Sequence, residues 1–138
     1  MSNYLKFYFN IKDPEAKKYT TVVNDSLTNY VSHSFISLPI YDIYNVKIGY
    51  KVSDDYIQQL NNNQYSVRIN STYHFFNNSS ISWQYSFINN APNYYYPLNI
   101  INASNIISTT GEYFGKTGVV SLIANENGTR DVTIGFNF

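Results

Sequence analysis

The chain has 138 residues, enough for one domain around a single core; 18% of them are aromatic and 13% charged. Basic and acidic residues balance to a formal net charge of zero, which argues against the basic footprint of a nucleic-acid binder and against an acidic solvating tail. The absence of cysteine excludes disulfides, thiolate metal sites and cysteine nucleophiles, and no apolar run approaches the ~20 residues of a membrane helix.

The N-terminus, MSNYLKFYFN, lacks the basic start, apolar core and small-residue cleavage site of a signal peptide, so a soluble intracellular protein is expected. The wealth of Asn, Ile and Tyr is what an AT-rich genome encodes; for a viral source, the host cytoplasm or the virion would be its place. YLKFYFNI then alternates with period 2, with Leu5, Phe7, Phe9 and Ile11 on one face and Tyr4, Lys6, Tyr8 and Asn10 on the other. In segment 13–32, Asp13-Pro14-Glu15 reads as a helix start, so a short helix is expected there.

A less regular strand follows over 34–42. NVKIGYKV alternates again, Val46, Ile48, Tyr50 and Val52 opposing Asn45, Lys47, Gly49 and Lys51. After a strand over 65–76, SISWQYSF sets Ile81, Trp83, Tyr85 and Phe87 against serines and Gln84. Strands over 94–109 and 117–124 lead to the C-terminus, where Val132, Ile134, Phe136 and Phe138 form one face. Turn-forming clusters at 61–63, 77–79, 89–92 and 125–128 separate these segments. Eight strands at hairpin spacing, without interposed helices, predict an all-β antiparallel barrel or sandwich, with residues 1–138 as one domain.

Within this pattern, TTGEYFGKTG (109–118) ends like a phosphate-binding loop. Such a loop needs four residues between its first glycine and the Gly-Lys pair, and a helix after it. Here three residues separate Gly111 from Gly115, and the β-branched TGVVSLIA follows. A hairpin turn is expected, with no nucleotide bound.

The same stretch, Thr109 to Val119 preceded by Ile106-Ile107, resembles the late hairpin of the dirigent and allene oxide cyclase barrel family, Gly-x-Gly-x-Phe-x-x-Ala-x-Gly before a Val-rich strand. LPIYD (38–42) followed by VKIGY (46–50) is similar to that family's Phe-Asp or Pro-Phe-x-Asn segment and the Val-Gly strand after it, and FYFNIKD (7–13) to its first strand. Residues 57–87 cover its next two strands, so the likeness spans most of the chain in order. The resemblance implies an eight-stranded antiparallel β-barrel with a central cavity, commonly a trimer. It also implies either cyclisation of an unsaturated epoxide or steering of phenoxy-radical coupling.

Residue by residue, the chemistry carries over poorly. The cyclase's Glu-x-Asn stands here as Tyr8-Phe9-Asn10, its Pro-Phe-x-Asn as Pro39-Ile40-Tyr41-Asp42, and its cysteine has no counterpart. Asp42 matches the dirigent Phe-Asp position, but Thr117 replaces the hairpin arginine.

The remaining candidates each have two readings. His74 shares a strand face with Arg68, Asn70 and Thr72, as a polar or interface residue or as a cavity acid or base. Asp42 follows Leu38 and Ile40 on one face, either at a wet strand end or as a buried carboxylate with a raised pKa. Arg68 and Arg130, the two arginines, would pair with carboxylates such as Asp131 or Asp42, or meet a ligand. Trp83 and Tyr94-Tyr95-Tyr96 would pack a core or interface, line a cavity, or form a sugar platform. His33 and His74 lack ligand-spaced neighbours, so no metal is expected, and no cofactor motif is present.

The favoured expectation is a non-enzymatic dirigent-like barrel that binds a small apolar or aromatic ligand, or serves as a structural subunit. Its cavity candidates are Tyr8, Asn10, Asp42, Arg68 and His74. The alternatives are a cavity isomerase or cyclase and a carbohydrate-binding module. If Tyr8 and Asn10 point into the barrel, Leu5, Phe7, Phe9 and Ile11 face outward, and covering that row calls for a homo-oligomer, with a trimer favoured.

Overall fold

Alternation dictates where each side chain goes, and the computed structural model, which describes residues 3–23, 30–61, 63–92 and 95–137, shows which face won. Among the described residues the chain forms strands β1 (Tyr4–Asn10), β2 (Lys17–Val23), β3 (Val31–Tyr41), β4 (Lys47–Asn61) and β5 (Gln64–Phe75). They continue as β6 (Ser80–Asn89), β7 (Ile101–Thr110), β8 (Gly118–Ala124) and β9 (Thr129–Phe136). Neighbours run β1-β9-β8-β7-β6-β5-β4-β3, and Tyr8 opposite Tyr41 joins β1 back to β3. Eight antiparallel strands therefore close a barrel, as expected. The ninth, β2, lies outside the ring and pairs with the N-terminal part of β3, from Lys17↔Ser37 to Val23↔Val31.

Segment 13–32 thus holds a strand where a helix was expected. The Asp13 carboxylate accepts the Glu15 N–H at 2.9 Å and its carbonyl accepts the Ala16 N–H at 3.0 Å, a tight turn made with the chemistry that also starts helices. The β-branched Thr20, Thr21 and Val22 then suit a strand. Residues 24–29 lie outside the described residues. The strand expected over 94–109 begins only at Ile101, and the one expected at 45–52 runs on to Asn61. The 109–118 stretch is the β7–β8 hairpin. Its single 3-10 turn, Gly111–Tyr113, uses the left-handed φ of +65° at Gly111, and the Glu112 N–H donates to Ser79 Oγ at 3.0 Å.

The face assignment of β1 is corrected. Phe7 and Phe9 are buried in the barrel, with Leu5 and Ile11 packed against the same core. Tyr8 and Asn10 face outward. The Tyr8 ring stacks on Tyr41 at 5.4 Å and its hydroxyl donates to Asn45 Oδ1 at 2.7 Å. The apolar row is covered by the barrel's own interior, so the argument drawn from it for self-association no longer applies.

In β4 the more apolar face lies outside. Val46, Tyr50 and Val52 are exposed, while Gly49, Lys51, Ser53, Asp55 and Ile57 are buried. Register explains this, because directly paired residues share a face. Lys51 pairs with Tyr73, Ser53 with Ser71, Asp55 with Ile69 and Ile57 with Val67. β5 must turn Val67, Ile69, Tyr73 and Phe75 inward, and that choice carries the polar row of β4 in with it.

Rings fill most of the interior. Phe7 meets Tyr73 and Phe75 edge-on at 4.7 and 5.7 Å, and the Trp83 indole donates to the Tyr73 hydroxyl at 2.9 Å. Trp83 stacks on Tyr96 at 6.2 Å, with Tyr85 and Phe87 beside them.

Paired substitutions on β1 test the corrected face. Phe7→Ala should cost about 3–5 kcal/mol in urea unfolding, the usual loss for a buried ring. Lys6→Ala, one residue back on the exposed face, should stay within about 0.5 kcal/mol. Equal losses would mean that the faces are assigned wrongly.

Candidate functional site

The ring packing leaves one side of the interior unfilled. Because β1 ends at Asn10 and β2 takes over alongside β3, the wall between them is interrupted, and a cavity of about 170 Å³ lies behind that seam. Phe9, Ile11, Ile36, Leu38 and Ile69 give it an apolar wall. Lys51, Asp55 and Arg130 give it a charged one, Lys17 and Lys18 of β2 also line it, and Tyr95 and Tyr96 complete it. Lys17, Lys18, Lys51 and Arg130 thus outnumber the single acid, Asp55, in the lining.

Each polar member is placed by its strand. Lys51 and Asp55 share the inner face of β4. Four strand residues span about 13 Å between Cα atoms, so the two charges approach only by the length of the lysine chain. Lys51 makes no hydrogen bond or ion pair with any described residue; its ammonium lies over the Phe9 ring, 4.8 Å from the centroid. Arg130 precedes the inward Val132 by two residues on β9. One guanidinium nitrogen donates to the carbonyls of Asn125 and Thr129, at 3.1 and 3.4 Å, and the group lies 5.9 Å from the Tyr95 ring.

Burial dominates the electrostatics. It pushes the Asp55 carboxyl pKa up, with Lys51 opposing in part. It pulls the Lys51 amine pKa down; Asp55 opposes this and the Arg130 charge adds to it. The Tyr96 phenol is raised well above its usual value, again by burial first, and stays a neutral donor. Burial lowers Arg130 too, yet a guanidinium keeps its charge in proteins.

Four buried polar atoms around this wall have no hydrogen-bond partner among the described residues: Asp55 Oδ1, Ser53 Oγ, Ser71 Oγ and the Tyr96 hydroxyl. Ser53 is near enough to Asp55, and Ser71 to Tyr96, to favour the ionised forms without reaching hydrogen-bond geometry. Buried groups of this kind are normally satisfied; of these four residues, Asp55 and Tyr96 line the cavity.

None of the five residues expected to line a cavity lines this one, though Arg68 borders a second pocket of about 380 Å³ on the outer side, with Tyr56, Ser66 and Gln84. Tyr8 and Asn10 are outside the barrel, and the Asn10 side chain accepts the Lys12 N–H at 2.9 Å. Asp42 caps the β3–β4 turn, accepting the N–H groups of Tyr44 and Val46 at 2.8 and 3.0 Å, which is the strand-end reading. Arg68 is on the outer face over the Tyr56 ring at 4.9 Å, and His74 is exposed. Arg130, expected to pair with a carboxylate, binds backbone carbonyls instead. Trp83 is buried and hydrogen-bonded, so it offers no sugar platform. Tyr95 and Tyr96 do line the cavity; Tyr94 is outside the described residues.

Lys51 and Asp55 were missed because the alternation of NVKIGYKV was read to Val52 without deciding which of its faces is inner. The available signal was Gly49-Lys51-Ser53-Asp55-Ile57, which ends on an aliphatic residue deep in the strand. Among the described residues no cluster of three His, Cys, Asp or Glu is placed to hold a metal ion. No helix there is long and apolar enough to cross a membrane.

No protein-family model matches the chain, and no curated protein matches it in sequence. Solved structures do share its fold. A pyocyanin demethylase superposes with a TM-score of 0.62 at 10% identity, over 96% of this chain and 100% of that one. The pterocarpan synthase dirigent protein GePTS1 superposes with a TM-score of 0.53 at 16% identity, over 96% of this chain and 84% of that one. The chain therefore has the dirigent-like barrel fold anticipated from its late hairpin. At these identities the likeness concerns fold alone.

The pKa of Asp55 makes a stability prediction. Its folded value lies above its unfolded one, so the folded state holds its proton more tightly. The associated stability is complete below the unfolded value, about 4, and is lost as pH rises through the raised folded value. Asp55→Asn removes that dependence. The urea midpoint of the variant minus that of the parent should rise with pH across this window and then level off. A difference that falls or stays flat would contradict the burial account.

Proposed function

We propose that this barrel is a non-enzymatic binder of a small organic molecule that joins a compact apolar body to one anionic group. The observation that carries this is the cavity's two-sided lining, aliphatic and phenyl groups opposite the Arg130 guanidinium, with the lysines of β2 alongside. Its volume sets the size of the guest. About 170 Å³ lies near the ~150 Å³ cavity known to take up benzene, and below the ~300 Å³ at which drug-sized pockets begin. One ring, or a short branched chain, fits.

The polarity sets the charge. An apolar guest would leave the buried Tyr96 hydroxyl of the lining unsatisfied, whereas a carboxylate accepts from that hydroxyl and from the nitrogens of Arg130 that make no bond to a described residue. The two similar barrels are named for small-molecule chemistry, which is consistent with this use of the fold. The carbohydrate reading is weaker, since the indole it relied on is buried.

Calorimetric titration with benzoate tests the proposal, with toluene and Arg130→Met as controls. Benzoate should bind at least tenfold more tightly than toluene, and Arg130→Met should lose about 1.5–3 kcal/mol of benzoate affinity while toluene is unaffected. Failure of benzoate to bind, or equal binding by the variant, would overturn the proposal.

A further inference from the structure

Lys51 is an unusual occupant of such a cavity. It is 4% exposed, it lines the pocket, and no described residue pairs with its nitrogen. A lysine placed to bind an anion gains most where its charge is at full strength, yet this one sits against a phenyl ring, 4.8 Å from the Phe9 centroid. On the same inner strand face stands Asp55, 2% exposed, with one carboxyl oxygen unpartnered. An amine and a carboxyl group thus line one small cavity.

We infer that Lys51 is a covalent site that condenses with a small aldehyde to form a Schiff base, with Asp55 as the proton donor and acceptor for the dehydration. This rests on the cavity being a ligand site. It adds a bond that reversible anion binding does not need. The nitrogen lone pair attacks the carbonyl carbon, the C–N bond forms, and a proton passes from nitrogen to the former carbonyl oxygen. The carbinolamine hydroxyl then leaves as water with a proton from the Asp55 carboxyl group. The C=N bond forms, and the iminium proton returns to the Asp55 carboxylate. Aldehyde and amine give imine and water, and nothing is oxidised or reduced.

The environment favours each part. Burial lowers the Lys51 pKa, which raises its share of nucleophilic free amine over that of solvent-exposed lysines, whose usual value is about 10.4. Burial also raises the Asp55 pKa, which favours its protonated, proton-donating form over that of an exposed carboxyl group.

The test uses the full chain, benzaldehyde and sodium cyanoborohydride near neutral pH, with intact mass and peptide mapping as readouts. The expected result is one benzyl group per chain, on Lys51, formed at least tenfold faster than on exposed Lys6 or Lys116. Lys51→Met should lose the fast adduct. Asp55→Asn should keep the labelled position but slow labelling about tenfold or more, and excess benzoate should protect Lys51. Labelling spread evenly over the lysines would overturn the inference even if Lys51→Met fails to fold, because mapping is done on the parent chain. Unchanged labelling in Asp55→Asn would overturn the role given to Asp55. If benzoate binds while Lys51 stays unlabelled, the covalent step is wrong and the binding reading stands. If Lys51 is labelled while benzoate does not bind, the anion anchor is wrong and the covalent step stands.

Discussion

One pair of tyrosines closes this barrel. β1 meets β3 at Tyr8 opposite Tyr41, where the rings stack and their hydroxyls are anchored on either side, Tyr8 to Asn45 and Tyr41 to Asp13 Oδ2 at 2.9 Å. Everything along β3 before that point would be an open edge. β2 occupies it, covering Val31 to Ser37. Because the strand that closes the ring and the strand that covers the edge are different, the wall changes hands between residues 10 and 17, and the cavity lies behind that change. The opening follows from the closure.

What lies behind the opening is costly to maintain. Removing an ammonium, a carboxylate and a guanidinium from water carries a penalty of several kcal/mol per ion, and attraction within the cluster returns only part of it. The directions of the Lys51 and Asp55 shifts say the same, since for both groups burial outweighs the partner. The aromatic interior supplies the compensation: a nearly continuous series of rings runs from Phe136 and Tyr113 through Phe75, Phe7 and Tyr73 to Trp83 and Tyr96. A polar cluster held against such a background costs the fold stability instead of adding to it.

The sequence made the barrel legible because period 2 survives in nearly every strand, and turn clusters such as Asn77-Asn78-Ser79 fall where the hairpins do. The site was hidden for two reasons. Alternation divides a strand into two faces without saying which is inner, and in β4 the apolar residues Val46 and Val52 are on the outer one. Only the register with β5 settles the matter, and register is a property of two strands together. Asp42 and Asn10 attracted attention as polar residues beside apolar rows, but both serve their own backbone in turns. Arg130 was readable in principle, two positions before Val132 on the apolar face of the last strand. β2 was missed because Asp13 makes a turn with the same side-chain chemistry that opens a helix.

The pairing of β1 with β9 has a consequence for how the molecule is made. Tyr4 lies opposite Gly135 and Asn10 opposite Thr129, so the first and last strands of the ring are neighbours. During synthesis β3 to β8 can zip together as successive hairpins, but β1 has no complete partner until residue 136 has left the ribosome. Until then the row from Leu5 to Ile11 is exposed, and both edges of the growing sheet are unpaired. Contacts of such long sequence separation form slowly, and chains waiting with open edges are the ones that associate wrongly. The barrel is therefore most vulnerable just before it is complete, and its last strand acts as the latch.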